Sequence, residues 1–242
     1  MALHFLVENS ADAATGDLVS LIGAEAKHAA VVRRLRVGEV VTVGDGAGVW
    51  LTGVAEEVSP SRVDVRVSSR SEEPAPSPRI ILAQALAKGD RDELAVQAAC
   101  ELGVDEIVPW QASRSVSRWE GPKAVKGRER WSTIVREAAK QAHRAWVPDV
   151  SPPATTADLA SRASSQRLLL LDPSASTRLS DLEPDGRDLV LVVGPEGGIS
   201  DDELRRLSDA GAERVLLGNT VLRTSTAGPA AIAVLSVTLG RW

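Results

Sequence analysis

"LVLVVGPEGGIS", residues 189–200, is a run of five apolar residues entering a turn with three glycines in five positions. A short continuous apolar run reads as a strand covered on both faces, the habit of parallel sheets. Directly after the turn, "SDDE" (200–203) has capping-box spacing: a serine hydroxyl and a glutamate three residues on can satisfy the first amides of a helix. That helix should end at Gly211. Strand, glycine turn and helix in so short a span make one unit of an α/β layer.

The same rhythm extends both ways along the chain. "RIILAQAL" (79–86) predicts a strand, and "RDELAVQAACELG" a helix with Asp90 or Asp92 near its start and Gly103 just past its end. "DEIVPW" follows as a strand. From Arg128 to His143, Trp131, Ile134, Val135, Ala138, Ala139 and Ala142 recur at a helical period. "LLLLD" (168–172) is a further buried strand and "RVLLG" the last. Thr224–Gly240 then closes the chain with 17 residues free of charge. Its length touches the lower edge of a membrane span, but its Thr, Ser, Gly and Pro content favours a helix buried in protein.

Upstream of residue 71 the pattern is different. Val40–Val43, Val49–Val54 and the alternating Val63, Val65 and Val67 predict short strands, with "GDGAG" (44–48) as a hairpin turn. A small β-barrel over residues 1–70 is the economical reading. "SEEPAPSP" (71–78) has prolines at alternate positions and predicts a semi-rigid linker to an α/β domain over residues 79–242.

Composition narrows the function. One cysteine among 242 residues excludes an intramolecular disulfide, and three scattered histidines give no metal-ligand spacing, so no metal is expected. No secretory leader opens the sequence, which suits a cytoplasmic protein outside the membrane. Net charge is −5, yet Ser113–Arg144 holds nine Lys or Arg against three Glu. That polarity predicts one face built for an anion.

The glycine loop is not a phosphate cradle of the usual kind. It lacks the lysine of a P-loop, and Glu196 at its centre would repel phosphate. Neither its spacing nor its late position fits a dinucleotide fingerprint. Alone, it reads equally well as a plain tight turn. A second segment, "LLGNTVLRTSTAGPAA" (216–231), also leaves a strand through a glycine loop and carries Arg223 just before a helix. Arg223 could be an ordinary ion-pair partner, but the two loops should share one edge of the sheet, where α/β proteins bind ligands.

Together, "VVGPEGGISDDEL" and "LLGNTVLRTSTA" resemble the RsmE family of the SPOUT superfamily, which methylates N3 of a uridine in 16S ribosomal RNA. The resemblance extends over "QALAKGDRDELAVQAACELGVDEIVPW", "RSVSRWEG", "RWSTIVREAAKQAHRAWVP" and "HAAVVRRLRVGE", and so over nearly the whole chain. It implies a fold of class α/β: a SPOUT domain tied in a deep trefoil knot, preceded by a small PUA-like β-barrel. It implies S-adenosyl-L-methionine as cofactor, held by Leu171, Asp172, Val193, Gly194, Glu196, Gly197, Gly198, Leu217, Gly218, Asn219, Leu222, Thr224, Thr226 and Ala227. Glycines would let backbone groups approach the adenine edge, and a cationic sulfonium would tolerate Glu196.

The implied substrate is 16S rRNA or the 30S subunit, acted on by a homodimer. Because N3 lies on the Watson–Crick edge, the uridine must be unpaired or flipped. Arg114, Arg118, Lys123, Lys126, Arg128 and Arg144 would meet RNA phosphates, Trp119 would offer a stacking surface, and Arg33, Arg34 and Arg36 would extend the track. As catalytic residues, Arg223 would stabilise charge on the uracil carbonyls, and Glu196 would either accept the proton or brace the loop. Two departures from the family pattern stand out: Ser225 replaces a glutamate, and "GNT" replaces Gly-Pro-Arg. A ribose 2′-O methyltransferase and a non-catalytic RNA-binding assembly module are the alternatives.

Overall fold

The computed structural model describes residues 2–242. Its contacts divide the chain into two units, one formed by the chain up to Ala75 with Ala139–Val147, the other by Pro76–Ala138 with Pro148–Trp242.

The first unit is built on β1 (Leu3–Leu6), β2 (Leu18–Ile22), β3 (Val40–Gly44), β4 (Val49–Val58) and β5 (Arg62–Glu72), arranged in the order β1-β3-β4-β5-β2. β1 runs parallel to β3, and the other pairs are antiparallel. Among the described residues no ladder joins the outer strands β1 and β2. α1 (Gly23–Lys27) and the turn of π-helix after it bring fully buried Ala26 and Ala29 into the core beside Leu21 and Val63. The β3–β4 hairpin is closed as expected, with Asp45 Oδ1 accepting the amides of Ala47 (2.7 Å) and Val49 (3.0 Å).

The boundary differs from the sequence expectation in two ways. Ser71 and Glu72 are still paired strand, opposite Trp50 and Val49, rather than linker. Residues 139–147 pack with the first unit. Lys140 is buried in a 2.8 Å ion pair with Glu25, and the Trp146 indole donates to the Glu73 carbonyl at 3.0 Å. A buried ammonium requires such a partner, so this segment, which the sequence places within the α/β domain, is anchored to the first unit by charge.

The second unit is a six-stranded sheet of β6 (Ile80–Ala85), β7 (Glu106–Trp110), β8 (Asp149–Val150), β9 (Arg167–Leu171), β10 (Leu189–Val193) and β11 (Glu213–Val215). Every ladder is parallel, and the order is β11-β9-β10-β6-β7-β8. β6 and β10 are buried at every position, which accounts for their unbroken apolar runs. The helices are α2 (Arg91–Glu101), α3 (Pro122–Gln141), α4 (Thr156–Arg162), α5 (Asp201–Asp209) and α6 (Thr224–Thr238). α3 begins at Pro122, six residues before Arg128, because its first turns lack the periodic apolar stripe. α6 packs closely on the sheet: a methyl at Gly228 would lie 3.0 Å from Leu82. No helix among the described residues is long and apolar enough to cross a membrane.

His4 carries the clearest pH dependence. It is buried and stacked on Trp50 with ring centroids 4.2 Å apart, and its Nδ1 meets the Thr42 hydroxyl at 2.9 Å. Burial, then the nearby His143 and Lys140 charges, lowers its pKa from 6.5 to about 4. The unfolded chain therefore takes up a proton first as pH falls. The stability that neutral His4 confers is complete above pH 6.5 and is lost toward pH 4. The loss amounts to about 3 kcal/mol. Urea unfolding at pH 7.5, 5.5 and 4.5 should show this decline, and His4→Gln should flatten it.

Candidate functional site

The site forms where the carboxyl ends of β9, β10 and β11 open side by side. Inserting β10 between β9 and β6 reverses the strand order there, the place where open α/β sheets leave a crevice. A cavity of about 530 Å³ occupies it.

Its first wall is the glycine loop. After β10 the chain doubles back so tightly that a Cβ on Gly194 would lie 2.9 Å from Ile199 Cγ1. Gly198 adopts φ +71°, which glycine reaches without strain, and its amide closes on the Pro195 carbonyl at 2.8 Å. The capping box foreseen at 200–203 forms in full, with both the serine-to-glutamate and glutamate-to-serine hydrogen bonds made. Glu203 has a second task. Its carboxylate accepts from the Ser113 amide (2.8 Å) and hydroxyl (2.7 Å) and from the Thr156 hydroxyl (3.0 Å), tying the 113 loop and α4 to the start of α5.

The second wall is the segment from Leu216 to the first turn of α6. Thr224 opens that helix and is buried. Its hydroxyl donates to the Gly194 carbonyl at 2.8 Å and accepts from Gln84 Nε2 at 2.9 Å. One side chain thus joins β6, the glycine loop and α6. Arg223, the residue before the helix, is exposed at the cavity edge and supplies no side-chain cap.

Two carboxylates, Asp172 and Glu196, and two arginines, Arg91 and Arg223, line the cavity. Asp172 accepts from Ser174 and, at 2.7 Å, from Arg214. Burial raises its pKa, but these bonds and the Arg214 charge outweigh that and hold it below the ordinary value. Glu196 behaves alike. Burial raises its pKa, while its own amide, the Lys88 amide at 3.1 Å and Arg91 at 3.0 Å lower it further. Both carboxylates stay ionised at neutral pH.

Most of the expected cofactor residues line this one cavity: Leu171, Asp172, Val193, Gly194, Glu196, Gly198, Leu217, Gly218, Leu222, Thr224 and Ala227, with Arg223 among them. Gly197, Asn219 and Thr226 do not. Gly197 instead backs onto Arg114, whose guanidinium donates to the Gly197 carbonyl at 3.1 Å. The sequence-predicted site residues did not include Arg91, Pro173, Pro195, Ile199, Leu204, Leu216, Thr220 or Val221 of the wall. Arg91 stands in the "KGDR" stretch that carried the family resemblance, a signal available but unused.

The residues expected to meet RNA are not equivalent. Arg114 braces the glycine loop, Arg118 folds back on the Ser113 carbonyl at 3.2 Å, and Arg128 donates to the Val150 carbonyl at 2.8 Å. Lys123 and Lys126 are exposed on α3, and Trp119 is half-buried. Arg33, Arg34 and Arg36 are exposed in the first unit, to which the half-buried Arg144 also belongs.

Sheet order, glycine-walled cavity and preceding small domain together define an RNA methyltransferase. Residues 73–236 match the RNA methyltransferase domain family, and residues 21–68 the RNA methyltransferase PUA domain. Over 248 aligned residues the chain is 41% identical to ribosomal RNA small subunit methyltransferase E of Mycobacterium tuberculosis, covering 100% of this chain and 94% of that protein. The Bacillus subtilis protein of the same name is 31% identical, with 90% and 89% covered. Among solved structures, the Neisseria gonorrhoeae ribosomal RNA small subunit methyltransferase E bound to S-adenosyl methionine superposes with a TM-score of 0.88 at 30% identity, covering 98% of each chain. A methyltransferase of Legionella pneumophila in complex with SAM gives 0.87 at 32%, also covering 98% of each. The chain belongs to the ribosomal RNA small subunit methyltransferase E family.

Thr224 tests the architecture of the site. Thr224→Val keeps the shape of the side chain but strips the Gly194 carbonyl and Gln84 amide of a partner. It should lower the unfolding free energy by about 1–3 kcal/mol in denaturant titration. Thr224→Ser should restore most of the loss.

Proposed function

We propose that this protein transfers the methyl group of S-adenosyl-L-methionine to N3 of a uridine in 16S rRNA, in the cytoplasm and as a homodimer. The observation that carries this reading is the single cavity formed by the β9, β10 and β11 loops with an uncommitted Arg223 at its edge. The cavity fits the cofactor. Its wall is largely apolar, Gly194 at the start of its glycine turn leaves no room for a side chain, and its two ionised carboxylates suit a ligand that has a cationic sulfonium and no phosphate. Leu171, Val193, Leu217 and Leu222 would hold the adenosyl part, beside the backbone of 194–198 and 217–219. When bound, the cofactor supplies an electrophilic methyl group for in-line displacement.

The chain's own residues would do the rest. Arg223 faces the uracil and stabilises the negative charge that grows on its carbonyl oxygens as N3–H gives up its proton to solvent water. Glu196 is already engaged by Lys88 and Arg91 and is a weak proton acceptor, so we assign it to bracing the glycine loop. This division does not depend on a carboxylate at position 225, which is serine here.

The RNA would lie along exposed Lys123 and Lys126 and reach Arg33, Arg34 and Arg36 of an RNA-binding domain spanning residues 1–70, joined through 71–78 to the methyltransferase domain 79–242. Arg114, Arg118, Arg128 and Arg144 would join this track by moving their guanidinium groups or by using remaining donors. The reading includes a deep trefoil knot, supported by the late insertion of β10 between β9 and β6 and by the clustering of three late loops at one edge. A second copy would cover the α2–α6 face, where Leu94, Val237 and Trp242 are exposed.

Undermethylated 30S subunits incubated with labelled S-adenosylmethionine should gain one methyl group on a uracil. A ribose methyl would point to the 2′-O alternative, and no incorporation to an assembly module. Arg223→Ala should reduce kcat about 100-fold or more, whereas Glu196→Gln should chiefly raise the KM for the cofactor. RNA affinity should fall steeply between 50 and 200 mM salt, as expected when several phosphates are neutralised. Sedimentation should show a dimer that Val237→Asp dissociates.

A further inference from the structure

S-adenosylmethionine offers a binding site an adenosyl part, a cationic sulfonium and an α-amino-acid head that carries a carboxylate. The apolar wall and the ionised carboxylates of the cavity answer the first two. They do not answer the third. Asp172 and Glu196 both repel an anion, and a carboxylate drawn from water without a counter-charge is costly. The buried Thr224 hydroxyl cannot serve it either, since its donor role is taken by the Gly194 carbonyl and its acceptor role by Gln84.

The two arginines in the wall are prepared differently. Arg223 is exposed, and its side chain makes no cap for the helix it precedes. Arg91 opens α2 and is tethered: its Nη1 donates to Glu196 Oε1 at 3.0 Å, and the same oxygen accepts the Lys88 amide at 3.1 Å. The side chain still remains 46% exposed.

A guanidinium carries five N–H donors in a planar fork. With Nη1 committed to Glu196, the Nε–Nη2 edge of Arg91 has no hydrogen-bond partner among the described residues. Such an edge forms two parallel bonds with a carboxylate. An arginine already tethered by one nitrogen also loses little further freedom when a ligand arrives. The surrounding charge narrows the ligand. Arg91 and Glu196 together are locally neutral, which complements a head that is itself a zwitterion, whereas an RNA backbone calls for an excess of positive charge.

We propose that Arg91 is the carboxylate anchor for the α-amino-acid head of S-adenosylmethionine, and so the residue by which the site distinguishes the whole cofactor from its decarboxylated form. The proposal rests on the reading of this cavity as the cofactor site. Glu196 holds the guanidinium by one nitrogen and leaves its other edge to the ligand. With the adenosyl part and the amino-acid head both held, only the methyl arm of the sulfonium stays free for the acceptor.

The test is calorimetric binding of the full-length protein to S-adenosylmethionine and to decarboxylated S-adenosylmethionine, which keeps the adenosyl part, the sulfonium and the ammonium. The wild-type protein should bind the whole cofactor at least about ten-fold more tightly. Arg91→Ala should abolish that preference by weakening S-adenosylmethionine alone, and its affinity for the decarboxylated form serves as the folding control. Arg223→Ala should keep the full preference. Should Arg91→Ala bind neither ligand, Arg91→Lys decides, because it keeps the charge and loses the fork: a reduced preference supports the anchor, and an undiminished one overturns it. Equal binding of the two ligands by the wild-type protein, or a preference that survives in Arg91→Ala, would also overturn the anchor. A surviving preference together with weakened RNA binding would give Arg91 to the RNA backbone instead. Failure of the wild-type protein to bind either ligand would overturn the reading of the cavity as the cofactor site.

Discussion

The Thr224 hydroxyl is the joint on which the second unit turns. It reaches Gly194 in one direction and Gln84 in the other, residues 30 and 140 positions away in sequence. A glycine loop gains freedom from its missing side chains, and that freedom would blur a binding surface unless something fixed it. Here the fixing is done from inside the core, by a buried hydroxyl with both donor and acceptor roles filled. Glu203 and Arg114 hold the other end of the loop. The glycines therefore supply close approach without supplying mobility.

Charge is used in the same economical way. Glu196 looks in sequence like a candidate for chemistry, yet it and Asp172 are each committed to amides and an arginine that keep them ionised. A carboxylate stabilised as an anion is a good neighbour for a cation and a poor acceptor of protons. That separation leaves Arg223 as the charged group without a side-chain partner among the described residues that line the cavity.

Much of this was legible in the sequence where the cause is local. The capping box at 200–203, the asparagine-free hairpin turn at 44–48 and the apolar runs of β6, β9 and β10 are short-range patterns, and they appear where they were read. What escaped reading depends on partners far along the chain. The strand order that inserts β10 beside β6, the pairing of Gln84 with Thr224 and the seating of Trp119 on Gly127 have no local signature. α4 was missed although Thr155 and Asp158 form a capping box, because seven residues give too short an apolar period to detect. The bracing of the glycine loop by Arg114 escaped reading because a sequence shows a charge but not the carbonyl it will meet.

The two outermost strands of the parallel sheet, β8 and β11, are two and three residues long. β11 carries Glu213 and Arg214, engaged with Arg167 and Asp172, and β8 begins with the exposed Asp149. A long bare margin would offer a template for strands from other molecules. Cropped and charged as they are, these margins offer little template for such pairing, at the edges of the same sheet whose centre forms the cavity.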